Sequence, residues 1–232
     1  MVKKISAIIF YIIALFFLVV YVTAEIAKHV YISEFGRLFL LCGSCIFLYF
    51  GGLLLSRYNK NSKPMKINLW IFFGLYLVLF ITLTLFDQMW GRNGLTHAHW
   101  SREIFNNYIH NFLNVIPFKT IIQFIRAFNG SINKRIIMFN LLGNIVACMP
   151  FGFFLPLLFK KQNSIKRFIF TMIIIVLIIE ILQFITLSGS CDIDDIILNV
   201  AGALMVYAIL KIKYVRKFIN YIFLLEEWLN SK

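Results

Sequence analysis

A chain of 232 residues that is 61% hydrophobic and 14% charged, with mean hydropathy +0.84, lies far outside the range of soluble domains and reads as a polytopic membrane protein. The net charge of +13 comes from short basic blocks set between apolar segments, which argues for membrane topology and against nucleic acid as a partner. The four cysteines, Cys42, Cys45, Cys148 and Cys191, are thinly spread, and the CGSC at 42–45 lies in an apolar run with no strand–helix redox unit beside it. Neither a disulfide framework nor a cofactor is implied.

Six segments are long and apolar enough to cross a hydrocarbon core that needs about 20 helical residues: 5–22, 38–55, 67–86, 136–159, 168–187 and 196–212. The first follows Lys3 and Lys4 and ends near Val22-Thr23-Ala24, as a secretory signal does. Its apolar run of about 18 residues exceeds the usual signal core of roughly 7 to 15, so it reads as an uncleaved anchor. Basic residues then recur in the loop 56–66 (Arg57, Lys60, Lys63, Lys66), in the loop 160–167 (Lys160, Lys161, Lys166, Arg167) and after the last span (Lys211, Lys213, Arg216, Lys217). With six crossings all these groups fall on one side, which predicts cytoplasmic termini and an outward-facing loop 188–194.

The connection 87–135 is too short and too aromatic for a soluble domain. Phe105, Tyr108, Ile109, Phe112, Leu113 and Ile116 before Pro117, and Ile121, Ile122, Phe124, Ile125 and Phe128 after it, repeat at helical spacing and predict two interfacial helices. His97, His99 and His110 in this loop read as interfacial polar residues, since two histidines in one loop do not make a metal site. The tail 214–229 carries a stripe of Val215, Phe218, Ile219, Ile222, Leu225 and Leu229 behind its basic block, which suits anionic lipid on the inner face. The chain thus divides into a two-span region 1–66, a main membrane domain 67–212 that includes the outer loop, and an amphipathic basic tail 213–232.

The last three spans share a polar layer. Asn140 and Asn144 lie one turn apart on the fourth, Glu180 and Gln183 on one face of the fifth, and Asn199 one turn below Asp195 on the sixth, all near the outer surface. An ionisable group at membrane depth costs about 2.5 to 3.5 kcal/mol on insertion scales, so these groups are expected to face one another. Asp192, Asp195, Asn199 and Gly202 are spaced as one helical stripe, which would carry the acidic loop into the polar face of the sixth helix. Gly143, Gly152 and Gly202 would admit close backbone approach, and Pro150 and Pro156 would bend the fourth span.

NLLGNIVACMPFGFFLPLLF (140–159), EILQF (180–184) and CDIDDIILNVAGALMVY (191–207), preceded by LTLF (83–86) and NVIPF (114–118), resemble the VanZ-like family. The resemblance covers about 83–207. Its matching motif positions are Asn140, Gly143, Asn144, Pro150, Gly152, Glu180, Gln183, Asp192, Asp195, Asn199 and Gly202. It implies an all-α bacterial envelope protein in the cytoplasmic membrane, from a family whose founding member is associated with low-level resistance to the glycopeptide teicoplanin. It implies no particular reaction. Many members carry a Gly-Arg pair just before the acidic motif, whereas this chain has Ser188-Gly189-Ser190-Cys191.

Two functional readings stand beside a structural one. In the first, Asn140, Asn144, Glu180, Gln183, Asp192, Asp195 and Asn199 hold the head of an envelope lipid or lipid-linked cell-wall precursor. A phosphate there would need positive charge from Arg92, Arg102, Lys119, Arg126, Lys134 or Arg135, or from a divalent cation held by Asp192, Asp194 and Asp195. In the second, Glu180, with Asp195 as a further candidate, works as a general acid or base beside an aspartate-bound metal in a lipid-modifying enzyme. No serine elbow, HExxH or phosphate-binding glycine loop accompanies them. In the structural reading the polar groups only glue helices, at about 0.6 kcal/mol per hydrogen bond, which rarely justifies a carboxylate. A transporter is disfavoured, because the inner halves of these spans are apolar and no internal repeat is visible.

Overall fold

The computed structural model describes residues 2–26, 34–86, 101–127, 134–187 and 189–225. In chain order the helices are α1 (Val2–Ile26), α2 (Glu34–Asn59), α3 (Lys63–Ile81), α4 (Arg102–Asn111), α5 (Lys119–Ala127), α6 (Lys134–Leu158), α7 (Ile165–Ile185), α8 (Ile193–Lys211) and α9 (Lys213–Phe223). A π-helical turn, Thr82–Phe86, extends α3, and a 3-10 turn, Lys160–Asn163, joins α6 to α7. Six of the described helices are long and apolar enough to cross a membrane: Val2–Ala24, Phe39–Asn59, Lys63–Phe86, Asn140–Leu158, Ile165–Ile185 and Ile193–Lys211. Each lies within a few residues of the segment that hydropathy alone marks. The two helices predicted around Pro117 are α4 and α5, and the amphipathic tail helix is α9. Arg92, His97, His99, Phe128 and Leu229 lie outside the described residues, as does the side chain of Arg135.

The chain forms two compact units, Met1–Gly74 with Arg216–Lys232, and Leu75–Val215. In the first, α1 packs along α2 through aromatic rings: Phe10 sits 5.9 Å from both Phe47 and Phe50, and Phe17 sits 5.6 Å from Phe47. Asn68 is buried at the start of α3, where its amide donates to the Leu48 carbonyl while its oxygen accepts from the Tyr11 hydroxyl at 3.2 Å. A polar side chain inside an apolar packing is retained because both ends of its amide are satisfied.

In the second unit α6 and α8 lie closest. A Cβ on Gly152 would strike the Ala203 carbonyl, and one on Gly202 would strike the Ile145 carbonyl, so both glycines are required by backbone approach. Gly143 differs from the expectation, because a Cβ there would meet nothing within 4 Å. The residue borders open space rather than a neighbouring helix. Pro150 and Pro156 both lie inside α6, which runs on to Leu158. Beside Val146, whose carbonyl Pro150 leaves without its helical N–H, the Tyr76 hydroxyl donates to the Ala147 carbonyl at 2.7 Å. Phe151 meets Tyr76 and Phe80 edge-on at about the same distance, 5.0 and 5.1 Å, and Phe168 stacks on Tyr207 at 4.5 Å. Large apolar side chains such as Phe170, Ile181 and Met205 are exposed along these helices, as lipid-facing surfaces require.

One element has no counterpart in the sequence reading. Leu113–Asn114 and Cys191–Asp192 form a two-stranded parallel pair, β1 and β2, with Leu113 opposite Cys191 and Asn114 opposite Asp192. Two residues are too few to show a strand period.

Candidate functional site

The site begins where α7 ends. Thr186 closes the helix by donating its hydroxyl to the Leu182 carbonyl at 2.8 Å, and Leu187 and Gly189 then adopt positive φ values of 52° and 99° that turn the chain back. Gly189 presents its carbonyl to the Tyr108 hydroxyl of α4 at 3.0 Å, and the Cys191 N–H donates to the Phe112 carbonyl at 2.9 Å. These contacts seat the β1–β2 pair and lead into the acidic motif.

The three aspartates diverge there. Asp192 is the N-cap of α8, in extended backbone, and its carboxylate accepts from the Asp194 N–H at 2.8 Å, from the Asn114 amide at 2.8 Å and from the Thr120 hydroxyl at 2.5 Å. Asp194 is fully buried and accepts from the Phe118 N–H at 2.5 Å and the Ile121 N–H at 3.0 Å. These donors belong to the start of α5, so Asp194 caps a helix distant in sequence and places negative charge at its positive end. Asp195, about 100° further round α8, turns the other way and accepts from the Asn144 amide of α6. Two acids therefore pin the α4–α5 segment onto α8, and the third faces inward.

Asp195 opens into a cavity of about 270 Å³. Helix α6 contributes Asn140, Gly143 and Asn144 to its wall, α7 contributes Glu180 and Gln183, and α8 contributes Asp195 and Asn199. The end of α3 and the π turn add Phe80, Leu83 and Thr84, and Ser190 closes one edge. Glu180 is 4% exposed and its carboxylate accepts from the Asp192 N–H at 3.2 Å. The Gln183 amide donates to the Thr84 carbonyl at 2.9 Å, and the Asn199 amide donates back to the Asp195 carbonyl at 2.8 Å. The glutamate of the fifth span thus lines the same cavity as the amides of the fourth and sixth.

Two expectations are corrected. Asp192 does not line the cavity: as the N-cap it lies off the helical stripe, which starts at Asp195. Asp192, Asp194 and Asp195 do not converge on one point, and among the described residues no group of three His, Cys, Asp or Glu is placed to hold a metal ion. Of the six basic residues named as sources of positive charge, Arg102, Lys119, Arg126 and Lys134 do not line the cavity, and Arg92 and the Arg135 side chain lie outside the described residues. Thr84, Ser190, Asn114 and Thr120 were not singled out from sequence. Thr84 and Asn114 sit in the LTLF and NVIPF landmarks, whereas Thr120 and Ser190 carry no local signal.

Cys191 lies beside the site. Burial pushes its thiol above the ordinary range, and the carboxylates of Glu180, Asp192 and Asp195 push it further. A thiolate is therefore disfavoured, so Cys191 is a poor nucleophile.

Long apolar helices around a polar cavity, with a capping segment pinned over its edge, define a multi-pass membrane protein with an internal polar chamber. The chain belongs to the VanZ/LLP1 family, whose model matches residues 72–214, more than half of its length and the whole of the cavity. It is similar to Protein VanZ of Enterococcus faecium, with 31% identity over 132 residues, 57% of this chain and 66% of that relative. The matched region therefore spans just under two thirds of the relative. No solved structure matches the chain.

Proposed function

We propose that the protein acts in the bacterial cell envelope and contributes to glycopeptide (teicoplanin) tolerance by binding or altering an envelope lipid or lipid-linked cell-wall precursor in this cavity. The supporting observation is the convergence of Asn140, Asn144, Glu180, Gln183, Asp195 and Asn199, from three membrane-length helices, on one chamber. Two carboxyl groups among apolar helices are too costly for glue alone. The distribution of Lys and Arg supports cytoplasmic termini in the cytoplasmic membrane, which puts the chamber and its α4–α5 cap at the outer leaflet. Membrane lipids are the natural partners.

Glu180 and Asp195 share the chamber, which keeps open the alternative of a lipid-modifying enzyme using Glu180 as acid or base. The metal-assisted form of that alternative loses support, because Asp192 and Asp194 are engaged by α5 and its flank. Incubating purified protein with extracted envelope lipids separates the two: mass spectrometry finds intact co-purified lipid for a binder and covalently changed lipid for an enzyme. In cells, Glu180→Gln and Asp195→Asn are expected to abolish a teicoplanin phenotype at unchanged protein level. Unaltered tolerance in both variants would remove their assigned role.

A further inference from the structure

Away from the chamber, the other ends of α6, α7 and α8 carry charge of one sign. Lys160 and Lys161 stand in the 3-10 turn, Lys166 and Arg167 in the first turn of α7, and Lys211 and Lys213 on either side of the junction between α8 and α9. All six are exposed. The described carboxylates of this unit, Glu103, Glu180, Asp192, Asp194 and Asp195, lie on α4, late in α7 and at the start of α8. Even Glu180 is separated from Ile165 by roughly 20 Å of helix. Among the described residues Lys160, Lys161, Lys166, Arg167 and Lys213 accordingly have no ion-pair partner.

The backbone that carries these cations is held in place. The Tyr207 hydroxyl donates to the Asn163 carbonyl at 2.6 Å, and the Lys211 ammonium donates to the same carbonyl at 3.0 Å while lying 4.7 Å from the centre of the Tyr207 ring. The Asn163 amide in turn donates to the Lys160 carbonyl at 3.3 Å. The end of α8 thereby fixes the turn that bears Lys160 and Lys161, and Phe168, fully buried and stacked on Tyr207, fixes the start of α7 that bears Lys166 and Arg167. Membrane orientation needs basic residues on one side of the spans, but it does not need them gathered on one ordered turn. Ile165 and Phe170, 54% and 66% exposed, supply apolar surface beside the charges.

We infer that this corner binds the phosphate of an anionic membrane lipid, with the acyl chains running along Ile165 and Phe170. Lysine ammonium groups and the Arg167 fork donate to phosphate oxygens, and the corner lies where three membrane-length helices leave the hydrocarbon, at the depth of lipid phosphates. A zwitterionic lipid brings the same phosphate together with a cation of its own, which this surface repels, so net headgroup charge decides the preference. The site stands at the opposite end of the helices from the chamber and exists whether or not the chamber binds a ligand.

Native mass spectrometry of the full chain in detergent tests this with phosphatidylglycerol and phosphatidylcholine of matched acyl chains, and with glycerol phosphate as the same anion without a lipid anchor. The expected result is phosphatidylglycerol retained about tenfold over phosphatidylcholine, with that preference cut at least fivefold in Lys160→Gln/Lys161→Gln and in Lys166→Gln/Arg167→Gln. Lys60→Gln/Lys63→Gln, which removes the same charge from the loop between α2 and α3, is expected to keep the preference. Lys160→Arg/Lys161→Arg, which keeps the charge at the corner, is expected to keep it too and holds the test decisive if a glutamine variant folds poorly. Equal retention of the two lipids would overturn the inference, as would a preference that survives in both corner glutamine variants. An equal loss in Lys60→Gln/Lys63→Gln would reduce the corner to diffuse attraction and overturn it as a site. Glycerol phosphate bound as well as phosphatidylglycerol would overturn the assignment to a lipid.

Discussion

Asp194 and Asp195 are adjacent in sequence and do opposite work. The Asp194 carboxylate holds the Phe118 and Ile121 N–H groups, so Asp194→Ala would remove both acceptors from the first turn of α5, at about 0.5 to 2 kcal/mol for a lost cap. The expected outcome is faster amide hydrogen exchange at 118–121 with the long helices still protected, read by mass spectrometry in detergent. Uniform loosening of α6, α7 and α8 would contradict a role confined to capping. Cys191 reports the charge around the chamber. Its thiol is raised by burial first and by Glu180, Asp192 and Asp195 next, so its thiolate fraction at any given pH is lower than that of an ordinary thiol. Alkylation of Cys191 is expected to accelerate with pH through a midpoint above the normal thiol range. Glu180→Gln is expected to lower that midpoint and speed the reaction at pH 8, whereas an unchanged profile would place the glutamate charge elsewhere.

Among the elements, the α6–α8 contact separates two kinds of glycine that look alike in the sequence. Gly152 and Gly202 meet backbone carbonyls of the partner helix, which cannot give way as a side chain tip can. Gly202→Ala is expected to destabilise the protein by about 1 to 3 kcal/mol, the usual range for an overpacked contact, as a fall in the thermal midpoint in detergent. Gly143→Ala is expected to leave that midpoint unchanged, since the added methyl enters open space beside the chamber. Equal losses for both would mean that α6 is packed on both faces. The β1–β2 pair works at this level as well. It ties the end of α4 to the start of α8, so the α4–α5 segment is registered on the chamber by main-chain bonds as well as by Asp192 and Asp194.

For the whole chain, the charge pattern predicts a definite orientation. Cysteines placed at Asn61 and Gln162 in a cysteine-free background are expected to react with a membrane-impermeant maleimide only after the cells are opened. A cysteine at Asn107 on α4 is expected to react in intact cells. The reverse pattern would put the chamber on the cytoplasmic leaflet and remove the link to an outer-leaflet ligand. The family match at 72–214 is nearly coextensive with the compact unit Leu75–Val215, so the chamber and everything that builds it fall within one folded body.

The six spans, the two short helices around Pro117 and the convergence of Asn140, Asn144, Glu180, Gln183, Asp195 and Asn199 were all legible in the residues. Each depends on hydropathy and on a helical period, quantities that act along one segment at a time. The fates of Asp192 and Asp194 were not legible, because their partners Asn114, Phe118, Thr120 and Ile121 lie more than 70 residues away and are chosen by how the outer segment folds back. Gly143 was misread for the same reason: whether a small residue touches a helix or a void is a property of what stands opposite. Local periodicity says which side chains share a face, and only packing says which of them turn inward to a common space and which are taken up in holding that space closed.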